Sequence, residues 1–159
     1  MTELQAAVPA PGEALEQAAR GILERMFFMD MEESGTGAAH VGTSAEPVLA
    51  SEVTFHGVHR GRLRLVVPET CARELAASFT GILDPNELNP EQTADVLREL
   101  ANMVCGATLS RLAPQAVFDL DAPAIRASIP PEESGWDVVR RLVCGSDWLG
   151  LYWHWEEAT

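Results

Sequence analysis

The chain has little positive charge. Eleven Lys and Arg stand against 24 Asp and Glu over 159 residues, a net charge of −13, which argues against nucleic acid and anionic membranes as partners. A basic patch on another protein, or a lysine-bearing site, complements it better. The chain also lacks an apolar run long enough to cross a bilayer, and residues 1–14 are acidic and proline-bearing with no signal-peptide pattern, so a cytoplasmic location is expected. Its three cysteines, Cys71, Cys105 and Cys144, are widely spaced with no Cys-x-x-Cys pair. Buried, reduced thiols are expected there rather than a disulfide frame or a zinc site. Ser78, Ser110 and Ser128 have no Gly-x-Ser-x-Gly setting, which disfavours serine hydrolysis. The stretch Gly35-Thr-Gly37 is too short for a phosphate loop and has no following Lys-Ser/Thr. His56 and His59 are spaced like metal ligands, but no third and fourth ligand accompany them, so no metal site is expected.

What is present is a domain-sized, patterned chain. Apolar residues make up 47%, a globular share that supports one hydrophobic core. Residues 1–12 read as a flexible lead and 13–157 as a single domain. Apolar positions recur at helical spacing over 13–31, from Leu15 to Phe27. Residues 32–46, rich in Gly, Ser, Thr and Ala, read as a long loop. Strands are expected over 48–56 and 62–67 around a turn containing Gly57 and Gly61, then a helix from Pro68 to about Phe79 that Gly81 ends. Asn89, Pro90 and Gln92 together predict the start of a second long helix through a capping box. Strand-like stretches follow over 116–120, 124–129, 138–144 and 148–155. The last of these alternates Leu149, Leu151, Trp153 and Trp155 with Tyr152 and His154.

The long helix carries the candidate site. Asp95, Glu99 and Asn102 stand at i, i+4 and i+7, which aligns them on one helical face, and Gly106 continues the row. Val96, Leu97, Leu100, Val104, Ala107 and Leu112 mark the opposite, buried face. An Asn in mid-helix is a mediocre helix former. An outward row of two carboxylates and a primary amide therefore looks built to touch another molecule, although Glu99 pairing with Arg98 or Arg111 is the ordinary alternative.

The pattern Asp95-x3-Glu99-x2-Asn102, with Pro123 downstream, resembles the signature of the CheC, CheX and FliY chemotaxis phosphatases. The run from Glu99 to Gly106, the Phe55-His-Gly57 turn and the Gly61 to Pro68 strand resemble the CheX branch in particular. The first helix has Phe27 where a second Glu-x-x-Asn site would need Asn after Glu24, which fits a one-site protomer. This resemblance implies an α+β fold, an antiparallel sheet with two long helices packed on one face. It implies dephosphorylation of a CheY-like response regulator, with Asn102 positioning the attacking water and Glu99 pairing with a lysine of the partner. Asp95, Arg98 and Gly106 would line the contact. No cofactor of the chain's own is implied, since Mg²⁺ is expected in the partner. The large aromatics on both faces of 148–155 make it an apolar edge that needs cover, so a homodimer assembled through this C-terminal strand is expected, and the resemblance points the same way. Two other classes stay open. One is a non-catalytic binding or scaffold module recognising a response regulator or a flagellar component. The other is a sensory domain holding a small molecule, which would need a polar group on the apolar helix faces, where only Thr108 stands.

Overall fold

In the computed structural model, which describes residues 8–36, 46–127 and 135–158, the strands form one antiparallel sheet whose two central members are buried on both faces. Strands β2 (Val48–His56) and β3 (His59–Pro68) form a hairpin about a two-residue turn, Gly57-Val58. The remaining strands are β1 (Glu32–Thr36), β4 (Asp119–Leu120), β5 (Ala124–Arg126), β6 (Val138–Cys144) and β7 (Asp147–Glu157). The order across the sheet is β1-β6-β7-β3-β2-β4, with β5 also pairing with β2. Helices α1 (Pro11–Phe27), α2 (Glu69–Thr80) and α3 (Pro90–Leu112) bury their apolar sides in one cluster with Val53, Phe55, Leu63, Leu65, Leu149, Leu151 and Trp153. The expected α+β arrangement, with the two long helices α1 and α3 on one face of the sheet, is the one observed.

Several local expectations change. Helix α1 begins at Pro11, which takes the first helical turn, and it ends at Phe27, four residues before the expected 31. Phe28 adopts φ 57° and closes the helix through a hydrogen bond from its N–H to the Leu23 carbonyl. Bulky residues rarely enter this left-handed region, so no glycine marked the stop. The expected loop over 32–46 holds β1 at its start, because the backbone of residues 32–36 pairs with β6; residues 37–45, and with them Gly37, lie outside the described residues. So do residues 1–7 of the expected lead, and Ser128 and Ile129. Gly61 is not in a turn but inside β3, opposite Phe55 and Trp155. A Cβ there would overlap the His154 carbonyl oxygen and the Trp155 backbone, so only glycine lets β7 lie this close.

Strand β7 is the largest correction. The sequence reading places 148–155 at an exposed apolar edge that a second subunit would cover. In the sheet β7 is interior, paired with β3 on one side and β6 on the other. Its alternation serves two faces: Leu149, Leu151 and Trp153 meet the helices, while Trp148 and Tyr152 join Ala50 and Val66 in a smaller cluster on the far side. On that far side Glu52 accepts from Arg64 at 2.9 Å in a salt bridge, and the Arg62 guanidinium lies over Trp136 at 4.1 Å. The second is a cation–π contact made by the planar head of arginine.

The cysteines are all free. Burial raises the thiol pKa of Cys71 and lifts that of Cys105 to about 12, so both are unreactive. Cys144, expected to be buried, is half-exposed at the end of β6, where the tight turn into β7 leaves it uncovered.

A carboxyl pair links α2 to the β6–β7 turn. The hydrogen bond to Asp147 raises the Glu74 carboxyl from 4.5 to about 7, with desolvation and the charge of Asp147 adding to the shift. A raised acid binds its proton more tightly in the folded chain than in the unfolded one. Its stabilising contribution is therefore complete below about 4.5 and is lost as pH rises through about 7. Glu74→Gln is expected to flatten the dependence of the thermal midpoint on pH between these values. Parallel curves for wild type and variant would show that the pair is not linked to folding.

Candidate functional site

Helix α3 owes its register to its first turn. The Asn89 side chain accepts from the Gln92 N–H at 2.8 Å, and the Gln92 side chain accepts from the Asn89 N–H at 2.9 Å, with Pro90 between them. This capping box fixes where the helix starts and so which residues point outward. The inner stripe, including Val96, Leu97, Leu100, Val104 and Leu109, is buried against α1 and the sheet. Ala107 is only half-buried and lies at the margin of that stripe. Thr108 is buried with its hydroxyl donating to the Val104 carbonyl at 2.7 Å, so it offers nothing to a ligand.

Asp95, Glu99, Asn102 and Gly106 are brought together as one row on the outer side. Asp95 and Glu99 are exposed, while Asn102 and Gly106 are half-buried. At 1.5 Å per residue the row runs about 16 Å along the helix. Its members differ in what holds them. Arg98 Nη1 donates to Asp95 Oδ1 at 2.6 Å and to Glu91 Oε1 at 3.1 Å. Arg111 bonds the Ala107 carbonyl, not Glu99. Glu99 and Asn102 have no side-chain hydrogen bond or ion pair with any described residue, which sets aside the ordinary pairing considered for Glu99. A Cβ at Gly106 would meet nothing within 4 Å, so the space above it is open. Beside Gly106 a cleft of about 200 Å³ runs between the end of α3 and Pro114, Phe118 and Leu120.

The arrangement presents an uncompensated carboxylate and, one turn on, an uncompensated amide, both carried by a rigid rod. An amide both donates and accepts but does not act as a strong base. Such a pair can orient a water or a polar group of a docked molecule. By itself it supplies no thiol, hydroxyl or imidazole nucleophile. The corresponding window of α1 ends in Phe27, which is buried and stacked on Phe79 at 5.0 Å, so α1 carries no second pair of this kind. Pro123 lies between β4 and β5 at the sheet margin, half-buried.

The histidines do not converge. His56 Nε2 lies 3.0 Å from Asp121, whose carboxylate also accepts from Thr54 at 2.6 Å. Those two hydrogen bonds, Thr54 first, lower the pKa of Asp121. His59 instead stacks on Trp155 with ring centres 4.0 Å apart. Among the described residues no three potential ligands are placed to hold a metal ion, and no helix is long and apolar enough to cross a membrane. One feature had no signal in the sequence. A cavity of about 430 Å³ opens where the starts of α2 and α3 face β5, lined by Leu49, Arg73, Leu88, Thr93, Arg98 and Ile125. It arises from packing between distant segments, which no local pattern encodes.

The family model described as "Chemotaxis phosphatase CheX" matches residues 49–130. Among solved structures, the chemotaxis protein CheX from Vibrio vulnificus is 18% identical, covers 96% of this chain and 100% of its own, and superposes with a TM-score of 0.75. The CheX of Desulfovibrio desulfuricans is 15% identical over 92% of this chain and 99% of its own, with a TM-score of 0.72. A CheX–CheY–BeF3–Mg²⁺ complex from Borrelia burgdorferi is 17% identical over 91% of this chain and 97% of that one, with a TM-score of 0.69. No curated protein matches the chain.

Proposed function

We propose that this chain, which belongs to the CheX family of chemotaxis phosphatases, hydrolyses the aspartyl phosphate of a CheY-like response regulator. The observation that carries this reading is the pair of polar side chains, Glu99 and Asn102, on the outer side of a capped helix, with no side-chain partner among the described residues. A relative of the same fold has been crystallised with CheY in the presence of BeF3 and Mg²⁺, which supports a receiver domain as the partner. Mg²⁺ in the partner's site would neutralise the phosphoryl oxygens. Asn102 would enter that site and hold a water in line with phosphorus through its amide. The water oxygen bonds to phosphorus as the bond from phosphorus to the aspartyl oxygen breaks, releasing the carboxylate and inorganic phosphate. Glu99 would pair with the partner's lysine and set the depth of docking.

The test is phosphate release from a phosphorylated receiver domain mixed with this protein. Release no faster than from the receiver alone, with binding intact, would make the chain a scaffold module instead. Glu99→Gln removes the charge and keeps the shape. It is expected to weaken binding of the activated receiver about tenfold at low salt, and less at high salt because the attraction is screened. Equal affinities would return Glu99 to an ordinary surface role.

In this reading the protein is a homodimer. With β7 inside the sheet, support for this shifts to the far face, where Trp136, Val139 and Val143 are half-exposed around the second apolar cluster. Light scattering at micromolar concentration is expected to give twice the 17.2 kDa chain mass; the mass of a single chain would overturn it.

A further inference from the structure

The three carboxylates along the outer side of α3 are not equivalent, and the difference lies in Arg98. Asp95 and Glu99 are one turn apart, about 6 Å along the axis, and both are exposed. To an approaching lysine they are two similar docking points. Only one of them places Asn102 at the reacting phosphorus. If the lysine settled on Asp95, the helix would dock a turn out of register and Asn102 would stand about 6 Å from its station, far beyond what positioning catalysis tolerates.

We infer that Arg98 is a positioning residue that selects the docking register by occupying Asp95. Its guanidinium is drawn toward the helix N-terminus, the direction long helical side chains favour. There one nitrogen serves both Asp95, at 2.6 Å, and Glu91, at 3.1 Å. This spends the positive charge on the carboxylates N-terminal to the row's centre and leaves Glu99 as the row's uncompensated anion. The Asp95 side chain stays 65% exposed, so its charge becomes available to a partner as soon as Arg98 is removed. The arrangement also holds the guanidinium away from Asn102, one turn further on, where a cation would repel the partner's own lysine and metal. This inference rests on the dephosphorylation reading above and adds to it an element of specificity: discrimination between two registers of the same partner.

The experiment compares wild type, Arg98→Gln, Arg98→Lys and the double variant Arg98→Gln/Asp95→Asn against a phosphorylated CheY-like receiver domain. Affinity is measured with the same receiver activated by beryllium fluoride and Mg²⁺. Arg98→Gln frees both carboxylates, so binding is expected to hold or tighten with a steeper salt dependence, while kcat falls about two- to tenfold as misregistered complexes accumulate. A residue that merely supported the helix would lose affinity and rate together. Asp95→Asn in the same chain removes the competing anion and is expected to restore kcat. Arg98→Lys keeps a cation there and is expected to hold kcat within about twofold of wild type. An unchanged kcat in Arg98→Gln overturns the inference, as does a double variant as slow as the single or a lysine variant as slow as the glutamine. If Asn102→Ala were also as fast as wild type, the dephosphorylation reading itself would fall. With Asn102 essential and Arg98→Gln silent, only the register role falls.

Discussion

Replacing Asn102 by alanine is expected to lower the rate of partner dephosphorylation about a hundredfold while leaving the fold and the affinity for the partner nearly unchanged. The size follows from the role. A group that orients a reactant in the transition state, without otherwise stabilising the ground-state complex, appears in kcat and not in binding. Losses of a hundredfold or more are typical where one such polar group is removed, equivalent to about 2.7 kcal/mol of barrier. The fold has no stake in the amide. Asn102 is half-buried on the outer side of α3 and bonds to no described residue, and alanine is the better helix former by several tenths of a kcal/mol. A small gain in thermal stability is the expected accompaniment. The measurement is single-turnover phosphate release at saturating protein, with far-ultraviolet circular dichroism as the structural control. A rate within about twofold of wild type would mean that the amide positions nothing, whatever the family resemblance suggests.

The row was legible in the sequence because every determinant of α3 is local. Asn89, Pro90 and Gln92 fix its start, and the stripe from Val96 to Leu109 fixes its orientation, so the outward side follows. What the sequence could not supply was the distinction among the row's members. Asp95 and Glu99 read alike as exposed carboxylates. Their difference depends on the direction in which Arg98 points, a choice among rotamers that Glu91 settles from two turns away. The misread elements share a cause of the same kind. Strand β1 carries no alternating apolar signal and exists through backbone pairing with β6. Gly61 reads as a turn glycine because turns are where glycines are most often needed, whereas here the demand comes from β7, some ninety residues along the chain. The alternation of 148–155 marks a strand, but no periodicity states which neighbours a strand has.

That misplacement has a measurable consequence at Trp153. An aromatic at a subunit interface can be removed with little harm to the protomer, whereas one at the centre of the core cannot. Trp153 is fully buried, sits opposite Leu63 on β3 and Val138 on β6, and stacks on Phe55 with ring centres 5.0 Å apart. Its indole nitrogen has no hydrogen-bond partner among the described residues, so its contribution comes from packing and buried area. Trp153→Ala is expected to cost about 3–5 kcal/mol, a large part of the roughly 5–15 kcal/mol that holds a domain of this kind folded. At about 2–4 °C per kcal/mol for this chain length, the thermal midpoint should fall by about 10 °C. Trp153→Phe keeps the ring against Phe55 and should lose much less. Midpoints recorded at several protein concentrations separate the two accounts, since a loss through dissociation shrinks as the protein is concentrated whereas a loss from the core does not. An alanine variant that melts within about 2 °C of wild type would place Trp153 outside the core and reopen β7 as a contact surface.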